Sequence, residues 1–81
     1  MRIEVLYFAA AREAAARSSE PLEVPEGSTL AGLRGVLRAR HPGLTTTLAV
    51  SRFAVGEAFA AEDRRLEAGD VVAVLPPVSG G

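Results

Sequence analysis

The 81-residue sequence contains no cysteine. That absence excludes a disulfide framework, a catalytic thiolate and a cysteine-ligated iron–sulfur cluster, and it leaves packing as the source of stability. Lysine is absent as well, since all nine basic residues are arginine. The chain offers no side-chain amine for conjugation to itself, which either protects an activated group from its own surface or reflects a compositional or thermal-adaptation bias towards arginine. Nine basic residues against ten acidic ones give a net charge of −1, and no basic block occurs. Nucleic acid is therefore not expected as a partner, because nothing is available to displace counterions along a phosphate backbone. No apolar run is long enough to cross a bilayer, and Met1-Arg2 leads straight into an alternating pattern that includes Glu4 rather than into an apolar leader. The expectation is a cytoplasmic protein without membrane association. No metal site is expected either, because the single histidine, His41, has no ligand pattern around it. Its place before Pro42-Gly43 suits a helix C-terminus.

What is present is a globular composition, 48% hydrophobic and 23% charged, at a length that allows one core. Residues 2–8 alternate at period two over the first half and then turn apolar on both faces, which predicts a strand with Ile3, Val5 and Tyr7 on one face and Glu4, Leu6 and Phe8 on the other. Residues 9–17 carry six alanines with Arg12, Glu13 and Arg17 and predict a short, partly exposed helix. Residues 20–24 alternate again as a strand in which Pro21 requires either a sheet edge or a place at the strand's first residue. Ser28 or Thr29 supplies an N-cap for a main helix reaching about Arg40, with Leu30, Leu33, Val36 and Leu37 as its buried stripe and Arg34, Arg38 and Arg40 outside it. Gly32 and Gly35 within that helix suggest a close approach to the sheet.

A loop over 44–47 then precedes a strand over 48–55, a turn at Gly56-Glu57 and a short strand over 58–60. The turn Leu66-Glu67-Ala68-Gly69-Asp70 delivers Val71-Val72-Ala73-Val74-Leu75, the most β-prone run and the expected central strand. The order β-α-β-α-β-β-β predicts an α+β, β-grasp fold over residues 1–75: a mixed sheet packed on one main helix, with the first and last strands parallel and adjacent. Val72 and Val74 then face the helix, while Ala73 and Leu75 lie on the outer face beside Leu6 and Phe8. Phe59 can join this apolar patch as part of a partner surface, or can close a small satellite core with Leu75 under the first helix.

Residues 76–81, Pro76-Pro77-Val78-Ser79-Gly80-Gly81, are expected to form an extended tail. Pro76 and Pro77 are expected to stiffen its root, and Val78 to Gly81 can extend about 13 Å at roughly 3.3 Å per residue, far enough to enter another protein. Two residues without a Cβ can enter a channel too narrow for any side chain. A terminal carboxylate, with an ordinary pKa of roughly 3.5, is anionic near neutrality; it can attack the α-phosphate of ATP, and the acyl-adenylate so formed can pass the terminus to a sulfur donor or an amine, the alternative being a frayed chain end without chemistry.

Phe8-Ala9 with Arg12-Glu13 after the first strand, the Leu66-x-x-Gly69-Asp70 turn and the closing Pro-Pro-Val-Ser-Gly-Gly make this chain similar, over essentially all 81 residues, to the small subunits of molybdopterin synthase, the MoaD-type sulfur carriers. The family often has Asn where this chain has Gly56; a turn needing positive φ accepts either. The resemblance implies a ubiquitin-like fold and adenylation of Gly81 by an E1-like enzyme. A sulfur donor protein then converts Gly81 to a thiocarboxylate, which donates sulfur to cyclic pyranopterin monophosphate in the large subunit. It further implies that Gly80 and Gly81 carry the chemistry, and that Phe8, Arg12, Phe59, Leu75, Pro76, Pro77, Val78 and Ser79 meet partners. The chain is then a non-catalytic subunit with no stably bound cofactor, ATP being used by the activating enzyme. A carrier for thiamine or tRNA thiolation, or a ubiquitin-like modifier of lysines, is the alternative.

Overall fold

The computed structural model describes residues 1–77. Strand β1 (Arg2–Tyr7) is followed by helix α1 (Ala9–Ala15), β2 (Ser19–Glu23) and α2 (Leu30–Arg40). A 3-10 turn over Pro42–Leu44 then leads into α3 (Thr45–Val50), β3 (Arg52–Val55), β4 (Ala58–Ala60) and β5 (Val71–Leu75). The strands form one mixed sheet in the order β2-β1-β5-β3-β4. β1 and β5 run parallel with Val5 opposite Val72, and every other pairing is antiparallel. β5 is thus central, and β2, with Pro21 in it, is an edge, as the alternation and the proline predict.

One face of the sheet, carrying Ile3, Val5, Tyr7, Phe53, Val72 and Val74, shares a single core with Ala11 and Ala15 of α1, Leu30, Leu33 and Leu37 of α2, and Leu48 of α3. Each fully buried leucine contributes about 2 kcal/mol by removal of apolar surface from water. Thr29 is the N-cap of α2, its Oγ1 accepting the Gly32 N–H at 3.2 Å.

Four expectations need correction. Residues 44–50 are neither loop nor strand: Leu44 and Leu48, four apart, are both fully buried, and Pro42 opens the turn that starts this helical segment. Val36 is 39% exposed, so the buried stripe of α2 is Leu30, Leu33 and Leu37. The glycines of α2 mark no close approach, because a Cβ at Gly35 would meet nothing within 4 Å and one at Gly32 only Thr29 Oγ1 at 3.7 Å. Arg34 is not a solvated residue. Its side chain is 14% exposed and lies across Phe53, and it grips Glu62 through two hydrogen bonds of 3.0 and 2.7 Å. It also donates to the carbonyls of Leu48 and Ser51 at the end of α3.

Helix α1 stops at Ala15 because Ala16 takes a left-handed conformation at φ 59°, donating its N–H to the Glu13 carbonyl. The reversal brings Arg17 back towards Glu20, a buried carboxylate that the sequence pattern had left in a half-polar edge strand. Tyr7 Oη donates to Glu20 Oε1 at 2.6 Å; Arg17 Nη1 and Arg40 Nε donate to Oε2 at 2.8 and 3.1 Å. His41 Nε2 lies 2.6 Å from Oε1. His41 does end α2, its N–H bonded to the Leu37 carbonyl, but its ring serves Glu20.

Candidate docking face and tail root

With all helices on one side, the other face of the sheet is open. The side chains on it are set by strand alternation: those at odd positions of β1 point to the core, so Leu6 points away from it, and Ala73 and Leu75 of β5 alternate with buried Val72 and Val74. Phe8 follows β1 as the N-cap of α1 and is 44% exposed. β3 and β4 are joined through Gly56 and Glu57 at φ +58° and +69°, a turn with both central residues left-handed that matches the twist of a two-residue hairpin. That hairpin sets Phe59 opposite Ala54, where it is 59% exposed.

The outcome is a contiguous apolar surface. Phe8, Ala54, Phe59, Ala73 and Leu75, with Glu57 at its margin, line a shallow recess of about 200 Å³. A second recess of about 230 Å³ beside it is lined by Val50, Arg52, Phe59, Leu75, Pro76 and Pro77. The structure therefore brings Phe8, Phe59, Leu75, Pro76 and Pro77 together on the open face, and the exposure of Phe59 removes the satellite-core reading. Arg12 is exposed on α1, its N–H on the Phe8 carbonyl, so it sits one helical turn beyond the apolar patch rather than in it. Val78, Ser79, Gly80 and Gly81 lie outside the described residues.

Pro76 and Pro77 leave directly from β5, the strand held on both sides by β1 and β3, so the root of the tail issues from the most constrained part of the sheet. Two residues of the face escaped the sequence reading. Val50 was assigned to a strand, whereas it ends α3 and is 60% exposed beside Leu75. Arg52 was hidden within the same overlong strand, although its alternation with buried Phe53 was available as a signal. No helix among the described residues is long and apolar enough to cross a membrane.

The sequence profile of the ThiS family matches residues 5–81. The molybdopterin synthase sulfur carrier subunit of Chlamydomonas reinhardtii is 35% identical over 83 aligned positions that cover 100% of both chains. A solved Pyrococcus furiosus structure assigned to subunit 1 of molybdopterin converting factor superposes with a TM-score of 0.87 at 31% identity, covering 96% of this chain and 99% of that one. A chain of the solved protein–protein complex of subunits 1 and 2 of molybdopterin-converting factor from Helicobacter pylori matches with a TM-score of 0.74 at 28% identity over 100% of both chains. The mixed five-stranded sheet is the ubiquitin-like β-grasp that the order of elements predicts. With its fold, its length and its sequence all matched from end to end, the chain belongs to the ThiS family and is a full-length relative of the molybdopterin synthase sulfur carrier subunits.

Proposed function

We propose that this chain is the sulfur-carrier subunit of a molybdopterin synthase. The observation that carries the reading is the end-to-end similarity to named sulfur carrier subunits. The open apolar face at the root of the tail gives it a physical means. The carrier docks by its sheet on the large subunit, and residues 76–81 deliver Gly81 into that subunit's active site.

The chemistry divides accordingly. An E1-like enzyme lets the Gly81 carboxylate attack the α-phosphate of ATP, releasing pyrophosphate and leaving an acyl-adenylate. Hydrosulfide delivered by a sulfur donor protein displaces AMP from that carbonyl, and the resulting thiocarboxylate supplies sulfur to cyclic pyranopterin monophosphate. Gly80, lacking a Cβ, keeps the approach narrow, and the fold holds the tail root while the partner supplies acid, base and phosphate-binding groups.

The test is intact-mass spectrometry after incubation with ATP, a verified adenylating enzyme and a sulfur donor. One terminal oxygen is replaced by sulfur, and the change maps to the C-terminal peptide. A variant lacking Gly80 and Gly81 keeps its fold and supports no molybdopterin formation. An unchanged wild-type mass, or molybdopterin made with the truncated variant, overturns the proposal; isopeptide-linked adducts stable to reductant in place of the thiocarboxylate point to a protein modifier.

A further inference from the structure

The open face is not uniformly apolar. Arg52 lies opposite Leu75 across the β3–β5 ladder, and its neighbour Phe53 points into the core, so the Arg52 side chain stands on the docking side of the sheet. Its guanidinium carbon is 3.8 Å from the centroid of the Phe59 ring. Phe59 pairs with Ala54, two residues along β3, and Arg52 therefore reaches diagonally across the β3–β4 ladder to rest on the ring. Arg17, Arg34, Arg40 and Arg64 are each paired with a carboxylate of this chain. Among the described residues, Arg52 has no ion pair and no side-chain hydrogen bond.

A guanidinium lying on an aromatic ring keeps its stacking attraction when water is removed, and its N–H groups remain free in its own plane. When a partner covers Leu75, Phe59 and Val50, this cation loses its hydration. An unmatched charge in that position opposes binding, whereas a carboxylate placed against the guanidinium edge gains two charge-assisted hydrogen bonds. Stacking also fixes the guanidinium in advance, so less side-chain freedom is lost on docking. Glu57, at the opposite margin of the face, carries the other sign, so the two charges give the apolar patch a direction.

The geometry points to Arg52 as a specificity determinant of docking: it receives an aspartate or glutamate side chain of the large subunit, set immediately beside the apolar residue that covers Leu75 and Phe59. This inference rests on the proposed function, which names the large subunit as the occupant. It adds what that subunit must present, and it assigns Arg52 to orientation and partner choice rather than to chemistry.

The experiment is calorimetric titration of the full chain into the purified large subunit of molybdopterin synthase from the same organism, at several salt concentrations. Arg52→Ala weakens binding about 10-fold and flattens the salt dependence, as expected for removal of one interfacial cation. Arg52→Lys keeps the salt dependence with part of the affinity, because the charge remains and the bidentate fork is lost. Arg52→Glu weakens binding about 100-fold, and reversing the facing acidic residue of the large subunit to Arg restores it. Thermal unfolding of each variant stays near that of the wild type, since Arg52 is exposed. Wild-type affinity and an unchanged salt dependence across the Arg52 series overturn this inference alone, as does an Arg52→Glu defect that no partner reversal rescues. Failure of the wild-type chain to bind the large subunit at all overturns the functional reading beneath it.

Discussion

Glu20 joins four parts of the chain at one carboxylate: Tyr7 from β1, Arg17 from the reversal after α1, and Arg40 and His41 from the end of α2. Burial acts to raise the pKa of this group, which is 1% exposed, but the hydrogen bonds from Tyr7, His41 and Arg40 outweigh it and hold the carboxyl down at about 2 against an ordinary 4.5. Burial first, then the hydrogen bond and the charge of Glu20, push the Tyr7 phenol upward. The folded pKa of Glu20 lies below its unfolded value. Its stabilising contribution is therefore complete above about pH 4.5 and is lost as the pH falls through about 2. A shift of this size corresponds to about 3 kcal/mol. Glu20→Gln is expected to lower stability at neutral pH by about that amount and to flatten the acid limb between pH 4.5 and 2, as measured by chemical denaturation at a series of pH values. A parallel acid limb in the variant would assign the acid loss to Asp70 and Glu62, which are also held below their ordinary range.

At the scale of elements, α3 is a short helix of weak intrinsic propensity, with three consecutive threonines, and tertiary contacts hold it in place. Leu48 is fully buried in the common core, Ser51 Oγ donates to the Thr47 carbonyl at 2.7 Å, and Arg34 closes the C-terminus from α2. Leu48→Ala is expected to cost about 3 kcal/mol in a denaturant titration, the range for a leucine removed from a closed core. A loss below about 1 kcal/mol would show that α3 is detachable from the domain.

The same element explains where sequence reasoning stops. β1 and β5 were legible because period-two alternation and β-branched residues are local signals, and the Gly56-Glu57 and Gly69 turns were legible because their backbone demands specific residues. α3 was not, because β-branched threonines argue against a helix and the decisive evidence, the joint burial of Leu44 and Leu48, is tertiary. Glu20 and Arg34 escaped for a related reason. A charged residue in an alternating strand or on a helix reads as solvated, and the partners that bury these two lie 13 to 28 residues away, Arg17 apart. The placement of Phe8, Ala73 and Leu75 on the open face was legible from strand parity, whereas Val50 and Arg52 were not, because the boundary of β3 was placed four residues early.

At the scale of the whole molecule, the chain divides its residues between two faces of one sheet: a closed core under three helices, and an open side on which Phe8, Phe59 and Leu75 remain in water. Burial of such a surface is worth little to the isolated domain and much to a complex, so the two are separable by mutation. Leu75→Glu is the direct case. Leu75 is only partly buried, and the new carboxylate would stand opposite Arg52 on the neighbouring strand, where a cross-strand ion pair offsets part of the lost apolar contact. The isolated variant is therefore expected to unfold within a few degrees of the wild type, about 1 kcal/mol or less in stability. Binding to the large subunit suffers twice, since an anchor at the centre of the patch is replaced by a charge that must be dehydrated and Arg52 is withdrawn from any partner carboxylate. The affinity is expected to fall by several kcal/mol, beyond a hundredfold in dissociation constant. Unchanged affinity in a calorimetric titration would exclude the face as the docking surface, and unfolding of the variant alone would show that Leu75 belongs to the core.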